Sequence, residues 1–179
     1  MGPLNTEVDM EPRFNLYRRV MHWLTVLLIL GLLVSGMIHS NEIGGKIPLL
    51  IHQLFGQTFI IFLTFRLFGL IWFPAGPATT KHAVWEKILS RIVQILLYIV
   101  MIAFVLTGFV AASGLRDPSL IWPLPLSFAR SEMAESLTEV HFFLKIPLVA
   151  LILVHMCAVL KHAFWDKDHT LQGIWFKRR

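Results

Sequence analysis

Four histidines, His22, His52, His141 and His155, stand inside or at the edge of long apolar runs. An ionisable ring there is costly, and marks a functional site by default. The sharpest case is the stretch HFFLKIPLVALILVH, residues 141–155, an oily helix with a histidine at each end and only Lys145 charged between them. Fourteen residues at about 100° each end roughly 40° short of four full turns, so both rings leave one face, about 21 Å apart. One metal ion cannot use both. Two centres at different depths can.

The elements that must position these rings follow from composition. Hydrophobic residues make up 56% of the 179, and only 15% are charged, well under the roughly 25% of a soluble domain. Apolar stretches at about 20–38, 49–74, 89–113 and 140–163 are each near the length of a membrane-crossing helix. The expected fold is an all-α membrane protein, a four-transmembrane-helix bundle forming one membrane domain over 1–179, with a long outer loop at 114–139. The first stretch is too long for a signal-peptide core and carries no small-residue cleavage site, so it reads as a permanent helix. No internal repeat or low-complexity tract stands out. Twelve of the sixteen Lys and Arg fall on one side of these spans, leaving only Lys46, Arg116, Arg130 and Lys145 on the other. The positive-inside rule then puts both termini in the cytoplasm. Basic residues gathered at span ends, despite a net charge of +5, argue against nucleic acid as a partner and for membrane lipid. Trp23, Trp72, Trp85 and Trp165 fall near the cytoplasmic ends as interfacial anchors. Trp122, in the outer loop, is expected to anchor at the outer surface or cap the bundle.

Chain direction sets the depths. His22 begins helix 1 from inside, whereas His52 and His141 begin helices 2 and 4 from outside, and His155 lies deep in helix 4. Two histidines therefore meet at each level, His22 with His155 inside and His52 with His141 outside. His39, His82, His162 and His169 lie at span ends, where an interfacial role is expected. Adding fourteen to His22, Gln94 and His52 reaches Gly36, Gly108 and Arg66. The glycines, with Gly56 beside His52, leave room at the outer level for a flat, bulky group. Arg66 needs an anionic partner, or snorkels to the inner interface, and no acid lies within the inner halves of the spans.

Paired neutral imidazoles in an apolar bundle suit a six-coordinate haem b for electron transfer. The lone cysteine, Cys157, excludes a disulfide framework and cysteine-based zinc or iron–sulfur sites, and reads as a packed small residue. No C-x-x-C-H is present, so a haem is not covalently attached. Zinc and copper lack further ligands at either level. Pro147 reads as a tilt in helix 4 between its histidines. A haem-free ion or proton transporter is the remaining alternative, although repeated halves and broken helices are not evident.

The stretches YRRVMHWL, IHQLFGQ with FRL, LTEVHFFL and LVHMCAVLKHAFWDKDHTL resemble the bacterial cytochrome b561 family, from about Asn15 to the C-terminus. That family comprises four-helix, two-haem membrane cytochromes and includes superoxide oxidase. The resemblance implies two haem b groups, with ligands on His22 and His155 (inner) and His52 and His141 (outer); the propionate of an inner haem would then serve as the anionic partner that Arg66 needs. It implies superoxide:ubiquinone oxidoreductase activity in the bacterial inner membrane, with ubiquinone or a similar quinone as acceptor. The alternative is a non-enzymatic cytochrome subunit serving a periplasmic redox partner. Family members often carry a histidine near the start of helix 3, where this chain has Gln94. The outer connections carry four basic against five acidic residues, which is no general attraction for an anion, though a local one around Arg116, Arg130 or Lys145 is open.

Overall fold

The computed structural model describes residues 15–73, 83–114, 121, 132–167 and 174. They form four helices: α1 (Leu16–Ser40), α2 (Ile47–Trp72), α3 (Val84–Gly114) and α4 (Glu132–Phe164). All four are long and apolar enough to cross a membrane, and no strand occurs among the described residues. The chain is an all-α four-helix membrane protein. We call the end where α1 begins and α4 finishes proximal, and the end with the α1–α2 turn distal. His82, His169, Trp122, Arg116 and Arg130 lie outside the described residues.

Local chemistry sets the helix ends. Asn15 caps α1 by accepting the Arg18 N–H at 3.0 Å. The chain reverses through Gly44 and Gly45, whose φ of 80° and 62° suit a residue without Cβ, and Pro48 opens α2. Glu86 accepts the Ala83 N–H at the head of α3. The fourth helix starts well before its apolar stretch, so 132–139 is helical and not part of a loop. Glu132 and Glu135 in its first turn, with Lys161 and His162 in its last, match the helix dipole.

Packing divides the bundle into two antiparallel hairpins. The helix pairs α1–α2 and α3–α4 are in closest contact, with a smaller α2–α3 interface, while α4 stands back from α1 and α2. Small residues permit the close approach within the first hairpin: Gly31 meets the Phe55 ring and Gly69 the Tyr17 ring. The Tyr17 hydroxyl donates to the Phe65 carbonyl, and Arg18 donates to the Phe73 carbonyl, so a cation from the start of α1 closes the end of α2. A thin core of Ile29, Leu32, Phe59, Leu63, Met101 and Phe104 fills the middle. Leu27, Ile61, Ile99 and Leu153 face outward, as lipid contact requires. Trp72, Trp85 and Trp165 are exposed at the proximal end, fitting interfacial anchors.

At that end Lys161 joins the hairpin's two helices, 2.6 Å from Glu86 and 2.9 Å from Asp166. The Asp166 carboxyl is held below its usual range by the Lys161 hydrogen bond, and further by that of His162.

A methyl group added at Gly69 would strike the Tyr17 ring, whereas one at Gly56 would find its nearest neighbour, Leu32 Cδ2, 3.9 Å away. Gly69→Ala should therefore destabilise the protein by about 1–3 kcal/mol. Gly56→Ala should be near neutral. Thermal unfolding in detergent, followed by helical circular dichroism, separates the two.

Candidate functional site

The predicted pairs do come together. Rings of His52 and His141 stand 6.0 Å apart between centroids, and those of His22 and His155 stand 6.5 Å apart. Each pair spans the gap between the hairpins, one ring from α1 or α2 and the other from α4. A metal held by both rings at about 2.0–2.1 Å per nitrogen sets the centroids roughly 6.4 Å apart, so both spacings suit one iron between two imidazoles.

The distal pair is tightly oriented. His52 Nδ1 lies 2.9 Å from the Leu32 carbonyl, and His141 Nδ1 lies 2.8 Å from the Phe104 carbonyl. A carbonyl only accepts, so Nδ1 carries the proton in both rings and Nε2 keeps its lone pair for a ligand. Ser35 and Thr107 hydroxyls approach the same nitrogens at 3.4 Å. Gly36 and Gly108 explain how the rings reach these carbonyls, each lying four residues beyond its acceptor. A Cβ at Gly36 would come within 3.1 Å of the His52 ring, and at Gly108 within 2.6 Å of His141 Cε1. These glycines thus admit the histidine rings themselves. The same device occurs twice, LLVSG on α1 for His52 and FVLTG on α3 for His141. It is a local repeat too short to stand out in the sequence.

Around this pair opens a cavity of about 350 Å³, within the size range of cofactor pockets. Its lining includes His39, Gln53, Gly56, Thr138 and Lys145. His39 thus borders the site instead of merely marking a span end. Gln53 is buried, and its Oε1 has no hydrogen-bond partner. An orphaned amide inside hydrocarbon is costly, and it marks the cavity as a place for a group with polar edges. Gln57, a turn further on, accepts the Ile121 N–H at 2.9 Å.

At the proximal pair the second contacts differ. Arg66 donates Nε–H to the Tyr98 hydroxyl at 2.9 Å and Nη1–H to the Met21 carbonyl at 3.1 Å, and its Nη2 lies 3.3 Å from His22 Nδ1. The fourteen-residue phase from His52 does bring Arg66 to this level. Two of its five N–H groups are donated to acceptors within the protein, which leaves the Nη2 group beside His22 open to an anionic partner. Gln94 is exposed on α3. His162, expected at an interface, is buried with Nδ1 2.7 Å from Asp166 Oδ2. Sequence reasoning missed Gln53, Ser35 and Thr107. The only signal for the last two was a hydroxyl directly before each glycine.

Two imidazole pairs in an apolar gap, one with both rings tied to carbonyls, form a donor set matched to haem iron. The comparison with known families decides the matter: the model for prokaryotic cytochrome b561 matches residues 13–177, nearly the whole chain. The chain belongs to the prokaryotic cytochrome b561 family. Among curated relatives, "Cytochrome b561 homolog 2" of Escherichia coli (strain K12) is 26% identical over 171 residues, covering 89% of each chain. Membership in the cytochrome b561 family makes this a multi-pass membrane protein of haem b electron transfer, with a redox partner. The haem-free transporter reading falls with it.

Gly108→Ala should displace the His141 ring and lower haem content. Thr64→Ala, exposed on α2 and outside the cavity lining, should leave it unchanged. The pyridine haemochrome assay per mole of protein reads the difference.

Proposed function

We infer that the protein carries electrons across the bacterial inner membrane through two haem b groups, from superoxide at its distal face to ubiquinone or a similar quinone. The distal end is then periplasmic and both termini are cytoplasmic, as the distribution of Lys and Arg favours. The observation that carries this reading is the pair of imidazole couples at 6.0 and 6.5 Å, spaced about 21 Å along α4. His52 and His141 would hold the distal haem, and His22 and His155 the proximal one. Haem b, when bound, supplies a one-electron iron couple at each level. The chain's own part is to fix the rings, exclude water and set the charge around each centre. Leu32 and Phe104 carbonyls hold the distal rings in the ligating tautomer. The largely apolar run between His141 and His155, which contains Pro147, insulates the levels from each other. Arg66 keeps its Nη2 group for a proximal propionate.

Overall, two superoxide anions give up two electrons and leave as O₂, and one quinone takes two electrons and two protons. Lys145 borders the distal cavity and has no partner among the described residues. It supplies a local positive charge for an approaching anion where the distal surface as a whole gives none. That near balance of distal charge favours the second reading, a cytochrome subunit that exchanges electrons with a periplasmic protein.

Purified protein should be red, with b-type spectra and two haems per chain, and His141→Ala should lose the distal haem while keeping the proximal one. Mixing the oxidised protein with a superoxide source should produce the reduced-haem spectrum, more slowly and with weaker salt dependence in Lys145→Gln. A protein with two haems that superoxide does not reduce would leave the second reading standing.

A further inference from the structure

The two pairs are alike in spacing and unlike in what surrounds them. At the distal pair every hydrogen-bond contact to the rings among the described residues is neutral: two carbonyls and two hydroxyls. Both carbonyls take an Nδ1–H, which pushes electron density toward Nε2 and favours the higher charge state of a bound metal. At the proximal pair His22 Nδ1 meets a guanidinium nitrogen, which cannot accept a proton. His155 has no hydrogen-bond partner among the described residues. Neither proximal ring therefore receives the electron-donating contact that both distal rings have.

Charge acts in the same direction. Arg66 is always protonated, and its three contacts in this bundle are to neutral groups. The proximal acids among the described residues, Glu86 and Asp166, are both held by Lys161. Among the described residues no protein anion therefore meets Arg66 beside His22, and its charge offsets that of the propionate it would hold, in a setting where a fixed charge is weakly screened. The distal cations Lys46 and Lys145 are exposed, and neither is hydrogen-bonded to a distal ring. A positive charge beside an iron centre favours the form that holds one more electron.

We propose that Arg66 sets the proximal centre at a higher reduction potential than the distal centre, so that electrons run from the distal to the proximal end. This rests on the two-haem reading above. Each transfer takes one electron from distal Fe(II), which becomes Fe(III), and gives it to proximal Fe(III), which becomes Fe(II), with no bond made or broken. Arg66 is a positioning residue in this scheme: it acts through charge and through His22, and carries no electron itself.

The test is optical redox titration of the purified full-length holoprotein, after haem content has been counted. His141→Ala isolates the proximal centre and assigns its midpoint. In the wild type the proximal midpoint should lie above the distal one. Arg66→Gln should lower the proximal midpoint and leave the distal one in place, whereas Arg66→Lys, which keeps the charge, should retain most of the difference. Should Arg66→Gln fail to keep its proximal haem, Tyr98→Glu gives the same reading, because a carboxylate beside Arg66 neutralises the charge without removing the side chain. A reversed order of midpoints, or a proximal midpoint unmoved in Arg66→Gln or, failing that, in Tyr98→Glu, overturns the proposal. Protein without haem would instead overturn the reading beneath it.

Discussion

An imidazole placed in hydrocarbon has two ring nitrogens to satisfy and no water to satisfy them. In this bundle the solution at the distal level is a backbone carbonyl on the partner helix of the same hairpin, for both rings. His52 of α2 reaches back to Leu32 of α1, and His141 of α4 reaches back to Leu32's counterpart, Phe104 of α3. Each contact fixes a ring, a tautomer and the direction of a free lone pair at once. The rest of the architecture follows from this constraint. A helical carbonyl can be approached from the side only if the residue one turn later is small, which is why Gly36 and Gly108 stand where they do. The hairpins must also stay close within themselves and apart from each other, or the rings would meet carbonyls but enclose no space between them.

This division of labour accounts for the sparse core. Packing is tight inside each hairpin, through Gly31 against Phe55 and Gly69 against Tyr17, and weak between α4 and the first hairpin. A soluble bundle built this way would lose the burial that stabilises it. In lipid the hydrophobic effect does not drive helices together, and close packing and polar contacts inside each hairpin carry more of the load. The gap can therefore be kept for a cofactor. The proximal level departs from the symmetry of the two hairpins, because Arg66 replaces a carbonyl as the neighbour of His22. That single difference gives a transmembrane path a direction that two identical sites would lack.

Much of this was legible in the chain. Apolar runs of the right length, four histidines among them and a fourteen-residue interval on α4 give the span count, the levels and the pairing, because helix rise and turn convert sequence distance directly into depth and azimuth. The role of the glycines was half legible: their level followed from spacing, but the group they make room for did not. Gln94 and His162 went the other way, since burial depends on which face a neighbouring helix covers. Gln94 is exposed, and His162 is buried against Asp166.

The sequence by itself determined the number of helices, the depth of each histidine and the identity of the pairs, since these depend only on order along the chain and regular helix geometry. Only the tertiary structure decided the second contacts: which carbonyl holds His52, which holds His141, and that a guanidinium rather than a carbonyl stands beside His22. Those contacts join residues from 20 to 44 positions apart in the chain. They are fixed by the rotation and separation of whole helices, which no local pattern encodes.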